Sequence, residues 1–173
     1  LTEEVLNQQK PEVKEFLVKT AMLTEFSVPL CDAILGRNDS REIIQEIEKA
    51  NLFLVPLDNF QRWYRYHHLF AELLAYNLNN HYPASEIRKL QHMAQTWFEE
   101  NGYPDKAVSH AIAAGDLNEA ARIIDTSALQ AVIGFEMKQL IQWIDRFSKD
   151  LLKRRPRLGI YSRSEERRVG KEV

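Results

Sequence analysis

Two adjacent histidines, His67 and His68, follow the aromatic and basic run WYRY and precede the apolar run LFAELL. An imidazole at a helix start, neutral or protonated, lies beside helix N–H groups and so suits an anion such as phosphate. The plainer reading carries more weight on composition alone. Histidines at strand-to-helix junctions commonly cap or pack, and no carboxylate or second ligand motif accompanies this pair. No nucleophile-and-base pattern surrounds it either, so catalysis is a poor fit. The aromatic set Phe60, Trp63, Tyr64 and Tyr66 reads first as hairpin packing rather than a ligand cage. Strand alternation puts Trp63 with Arg65 on one face and Tyr64 with Tyr66 on the other. Cys31, the one cysteine, excludes an internal disulfide and fits a reducing compartment. Within VPLCDAIL it is expected to be a small buried apolar residue, not a reactive thiol. No metal-ligand pattern is visible.

The elements around these residues follow from periodicity. The apolar run 52–57 has no helical spacing, 63–66 is short and aromatic, and Asp58-Asn59 between them is turn material, a β-hairpin signal. Leu69, Phe70, Leu73, Leu74 and Leu78 then recur at helical spacing. Upstream, Pro11 suits a first helical turn, with Val13, Phe16, Leu17, Ala21 and Leu23 behind it. Ser27 is a fair N-cap for a second helix carrying Leu30, Ile34 and Leu35, stopped by Gly36. Asp39 with Glu42 resembles a capping box opening a third, with Ile43, Ile44 and Ile47 on one face. Three helices followed by two strands is the order of a winged-helix domain, expected over residues 1–81.

From residue 82 the strand signals vanish. Pro83 opens a long helix with Ile87, Leu90, Ala94, Trp97 and Phe98 on one stripe, ended by Gly102. An alanine-rich helix over 103–114 ends at Gly115, and Asp116 with Glu119 begins another, with Leu117, Ala120, Ala121 and Ile124 facing inward. Met137, Leu140, Ile141 and Ile144 form a later stripe, and Leu151 and Leu152 follow a cap at Ser148. Short helices joined by Gly-plus-acid turns predict stacked, TPR-like helical hairpins over 82–158, although no clean repeat period is present. The expected class is therefore mainly α, a winged helix with a two-stranded hairpin followed by a helical-repeat region.

The 173 residues, 45% hydrophobic and 28% charged, are ordinary for one or two small globular domains. No apolar run approaches the roughly 20 residues of a membrane span, no signal peptide is present, and a cytoplasmic location is expected. Both ends read as cut. Leu1 stands inside helix-forming sequence, and residues 159–173 are expected to be a disordered, non-native tail. Its stretch RSEERRVGKE (163–172) resembles the conceptual translation of a sequencing adapter; a genuine charged tail is the alternative. The net charge is −2, or −3 without the tail's four basic and three acidic residues. The third helix sets Arg41 and Lys49 against Asp39, Glu42, Glu46 and Glu48, a balance that phosphates repel. The wing offers only Arg62 and Arg65, so direct nucleic-acid contact by this segment is not expected.

The motifs LVKTAMLTEFSVPLCDAILGRNDS, IEKANLFLVPLD and WYRYHHLFAELL together resemble the large ATP-dependent, LuxR-type (MalT-like) transcription regulators. These belong to the signal-transduction ATPases with numerous domains, the STAND class. The resemblance covers residues from about 15 to 158. It implies a regulatory middle segment, with a P-loop ATPase module before the winged helix, a helical-repeat sensor after it and a helix-turn-helix at the far end. No G-x-x-x-x-G-K-[ST] loop is present here, so the segment is expected to be no enzyme by itself and to hold no cofactor, ATP and ADP belonging to a slowly hydrolysing parent. In the wider class a Met-His-Asp motif on the winged helix touches the β-phosphate of bound nucleotide. Tyr66-His67-His68 occupies the matching place, which makes His67 the implied ADP contact, with Tyr66 for Met and His68 for Asp. The implied partners are the parent's own ATPase module and an inducer or regulatory protein on the helical repeat, with no membrane contact and with oligomerisation of the ATP-bound parent. Two alternatives stand beside this. One is a scaffold segment of an apoptotic-type or kinase-linked STAND ATPase, and the other a stand-alone winged-helix DNA-binding module.

Overall fold

Pro11 needs no hydrogen-bond acceptor in a first turn and has its φ preset for a helix. In the computed structural model, which describes residues 2–60, 62–127 and 137–160, it opens α2 (Pro11–Thr20) after a short α1 (Thr2–Asn7). Val13, Phe16 and Leu17 of α2 are buried. In α3 (Val28–Leu35), Leu30, Cys31 and Ile34 are buried, and Gly36 ends the helix at φ +62. α4 (Ser40–Lys49) buries Ile43, Ile44 and Ile47. The capping box expected from Asp39 and Glu42 does not form. The Arg37 guanidinium takes the Asp39 carboxylate (Nη2–Oδ2 2.8 Å), and Asp32 of α3 accepts the Ser40 N–H at 3.1 Å. A cation two residues upstream outcompetes an uncharged amide for the carboxylate, so α4 is capped from the neighbouring helix instead.

α4 ends in a Schellman arrangement. The Leu52 N–H reaches the Ile47 carbonyl at 3.1 Å and the Asn51 N–H that of Glu48 at 3.0 Å, with Asn51 at φ +52. Leu52 is buried as the motif's apolar anchor, and Phe53 also lies at positive φ, +54. These two constraints shorten the strand, so β1 is only Leu54–Pro56 within the apolar run 52–57. It pairs antiparallel with β2 (Tyr64–Tyr66) in the register Leu54↔Tyr66, Val55↔Arg65 and Pro56↔Tyr64. Phe26 adds an isolated bridge, exchanging two 2.8 Å backbone bonds with Tyr64. α5 (His68–His81) follows, with Phe70, Leu74, Asn77 and Leu78 buried. Leu69, part of the expected stripe, is instead 59% exposed. Asn77 sits on the buried face because its amide donates to the Leu73 carbonyl at 2.9 Å within the helix. The three helices α2 to α4, the hairpin and the closing helix α5, with the short α1 ahead of them, make this a winged-helix domain.

α6 (Ala84–Glu100) runs through the division between two compact units, Leu1–Ala94 and Gln95–Val173. Within the second unit, α7 (Pro104–Ala113) and α8 (Leu117–Ser127) pack as a helical hairpin. Ala107, Ala111, Ala120 and Ala121 are fully buried, and side chains this small let two helix backbones approach closely. Gly115 turns the chain at φ +80, and the Asp116 carboxylate caps α8 by accepting the Glu119 N–H at 3.0 Å. α9 (Met137–Ile144) is followed by α10 (Lys149–Arg154), where the Ser148 hydroxyl accepts the Leu151 N–H at 3.2 Å. The side chain of Met137 from the expected stripe lies outside the described residues. Of the disordered tail expected from residue 159, Gly159 and Ile160 are instead helical, continuing the turn from Pro156, and the rest from residue 161 onward lies outside the described residues.

Candidate functional site

The hairpin register assigns its side chains to two faces. Tyr64 and Tyr66 point inward, 5% and 4% exposed, while Arg65 between them is exposed. The Tyr66 ring lies 4.8 Å from Phe26 and 6.0 Å from Phe70, centroid to centroid. Its hydroxyl meets Thr20 Oγ1 at 2.7 Å, and Thr20 itself bonds the Phe16 carbonyl at 2.7 Å. Burial pushes the Tyr66 phenol well above its ordinary pKa, with the Thr20 hydrogen bond acting in the opposite sense. This polar pair inside an aromatic core anchors β2, and so fixes where the chain leaves the sheet.

His67 is the residue at which it leaves. Its N–H donates to the Phe53 carbonyl at 2.8 Å, holding it against the end of β1. Its own carbonyl accepts the Phe70 N–H at 3.0 Å and the Ala71 N–H at 2.9 Å, which makes it the N-cap residue of α5. The backbone is thus fully used, and the imidazole is left exposed. The His68 ring is also exposed, 4.4 Å away between centroids and tilted by 39°. The first turn of α5 carries no acidic residue. The N–H groups that open a helix, ahead of those the N-cap carbonyl accepts, have no intrahelical acceptor and carry the positive end of its dipole. An anion approaching His67 therefore meets a donor and a positive field together. The cap-or-pack reading holds for the backbone of His67 but not for its ring, which packs into no core.

Asp58 organises the loop before β2. Its carboxylate accepts the N–H groups of Phe60 at 2.8 Å, Arg62 at 3.0 Å and Trp63 at 3.1 Å. Those backbone bonds, with Arg62's the largest influence, hold its pKa below the ordinary carboxylate range. Cys31 is fully buried, and burial followed by the nearby Asp32 charge pushes its thiol far up, so it is unreactive. A cleft of about 720 Å³ lies between α2, the α3–α4 turn and the start of α6. Most of its charges are paired: Lys19 reaches Glu15 at 2.8 Å and Glu86 at 3.1 Å, and Arg37 pairs with Asp39, while Lys89 also lines it. Among the described residues no group of three or more His, Cys, Asp or Glu side chains is placed to hold a metal, and no helix is long and apolar enough to cross a membrane. Thr20 was invisible to sequence reasoning, because its partner lies 46 positions away and neither residue carries a local signal.

Fold and hairpin together define a winged-helix domain. Residues 2–86 match the family described as the MalT winged helix domain, and this segment belongs to it. The chain is similar to the HTH-type transcriptional regulator MalT of Vibrio cholerae, 31% identical over 158 residues, covering 91% of the chain and 17% of that protein. MalT of Yersinia pestis is 28% identical over 160 residues, covering 92% and 18%. The serine/threonine-protein kinase PknK of Mycobacterium tuberculosis is 30% identical over 160 residues, covering 92% and 14%. The chain thus spans less than a fifth of the length of these relatives.

Proposed function

We propose that this chain is the regulatory middle segment of an ATP-dependent bacterial transcription regulator of the STAND class, working in the cytoplasm. Its winged helix reports the nucleotide state of a neighbouring ATPase module through His67. The observation that carries this reading is the exposed imidazole of His67 at the N-terminus of the 14-residue helix α5, with its backbone locked by Phe53 and no first-turn acid beside it. A β-phosphate of ADP held by the ATPase module would gain a donor from His67 and so tie the two domains together. Exchange for ATP moves the phosphates and releases the contact, a two-state element biased by ligand. The segment itself catalyses nothing; ATP and ADP belong to the parent, which assembles when ATP is bound. The helical region from Pro83 is a TPR-like sensor that receives an inducer or a regulatory protein.

The test uses the intact parent. His67→Ala is expected to weaken ADP retention and raise basal reporter transcription, and an ADP affinity equal to wild type defeats the proposal. A second reading, a kinase-linked scaffold, is favoured by the 30% identity to the mycobacterial kinase over the same span. If it holds, His67→Ala raises phosphotransfer by the parent instead of reporter output.

A further inference from the structure

The hairpin has an outer face on which Leu57 and Arg65 are exposed and Val55 and Trp63 are half-buried. Val55 stands opposite Arg65 in the register, and the Leu57 N–H donates to the Trp63 carbonyl at 2.8 Å, extending the same pairing by one step. Residues opposite one another in an antiparallel pair share a face, so Val55, Leu57, Trp63 and Arg65 all lie away from the buried Tyr64 and Tyr66. Beyond them the loop carries Phe60, 76% exposed, with the Arg62 guanidinium 5.0 Å over its ring. Leu57 is 42% exposed, and Arg62 and Arg65 are exposed.

We infer that this outer wing face is a docking surface for another protein, one that presents carboxylates around an apolar anchor. Charge complementarity selects that partner. The face carries two guanidinium groups in a chain of net charge −2, and the one acid of its loop, Asp58, is bound by three backbone N–H groups. Aromatic and arginine side chains dominate the energetics of protein interfaces, and an arginine stacked on an aromatic ring is already ordered for bidentate contact with a carboxylate. Exposed Leu57 and Phe60 gain by burial against an apolar anchor and gain nothing from a phosphate backbone, which also demands more than two cations. The inference stands on the hairpin register and not on His67, so either can fail without the other.

The experiment titrates the 173-residue chain with fluorescent synthetic peptides, following anisotropy and backbone hydrogen exchange. The probes are a peptide alternating Glu with Leu and Phe, its Lys-for-Glu counterpart, a Glu-only peptide and a short DNA duplex. The Glu/Leu/Phe peptide is expected to bind and to slow exchange at residues 54–66. The double variant R62E/R65E is expected to weaken it by about tenfold or more and to bind the Lys counterpart in its place. Both substitutions sit at exposed positions, and an unchanged thermal melt confirms that the fold is intact. The proposal is overturned by absence of saturable binding, by equal affinity in R62E/R65E, by self-association of the chain at this face, or by equal binding of the Glu-only peptide or the duplex, which would mark mere polyanion attraction.

Discussion

Thr20 and Tyr66 show how unevenly two partners of one hydrogen bond are held. Both are buried, but Thr20 keeps a second acceptor in the Phe16 carbonyl, whereas Thr20 supplies the hydrogen bond recorded for the Tyr66 hydroxyl. Removing the threonine hydroxyl strands a buried phenol, which costs about 1–3 kcal/mol, while removing the phenol leaves threonine satisfied, at about 0.5–1.5 kcal/mol. Thr20→Val is therefore expected to destabilise more than Tyr66→Phe in urea unfolding; the reverse order would disprove the asymmetry. At the same scale, His67 illustrates what a sequence reveals of a site. Its residue type and its place at a helix start were legible in WYRYHHLF. That its ring is exposed was not, because that depends on the Phe53 carbonyl engaging its backbone across the hairpin.

Elements in this chain are set largely by their ends. Gly115 sits at φ +80 with nothing within 4 Å of where a Cβ would stand. Gly115→Ala therefore acts through the backbone alone and is expected to cost about 1–2 kcal/mol, read from thermal unfolding. The wing loop depends on Asp58 in the same way. Asp58→Ala removes the acceptor of three amides, so hydrogen exchange at Phe60, Arg62 and Trp63 is expected to accelerate while the helices keep their protection. The same opening is expected as pH falls through the lowered pKa of this carboxyl, because protonation removes the charge that holds the amides. Apolar spacing placed α3 and α4 and the start of α2 correctly, since each needed only its own buried stripe, but it ran α2 on through Ala21 and Leu23, beyond its end at Thr20. It overestimated β1 and misplaced Leu69, because a strand's length and a helix's rotation are decided by neighbours, here the left-handed Asn51 and Phe53 and the aromatic core around Phe70.

For the whole molecule, one buried titratable group links pH to stability. His110 is 8% exposed in the second unit, its ring stacked 5.3 Å from Phe98 at 13°. Burial, then the charge of Lys106, lowers its pKa from 6.5 to about 4. The unfolded chain binds this proton near pH 6.5 and the folded chain only near pH 4. Stability is therefore complete above pH 6.5, falls as pH drops through that window and levels off below it, a loss of about 3 kcal/mol. Denaturant unfolding between pH 7 and pH 4 checks this, and His110→Phe is expected to flatten the slope. A slope unchanged in His110→Phe would assign the effect to other groups. Arg122 braces the same unit, reaching Glu99 and Glu119 at 2.7 Å each. Those three side chains are each about a third exposed, so solvent screens the pair interactions and salt is expected to weaken them.

By itself the sequence determined where α2 to α8 lie, that a hairpin follows the helix carrying Ile43, Ile44 and Ile47, and which histidine stands at its exit; it did not separate α1 from α2. Those features are written in local periodicity, turn residues and helix stop signals, which act over a few positions. Tertiary structure decided which face of the wing is buried, that Asp32 rather than Asp39 caps α4, and that Thr20 anchors Tyr66. Each of these joins positions from eight to 46 residues apart or depends on which neighbours a surface keeps. Such pairings are settled by competition among all the packed elements at once, and no local pattern encodes them.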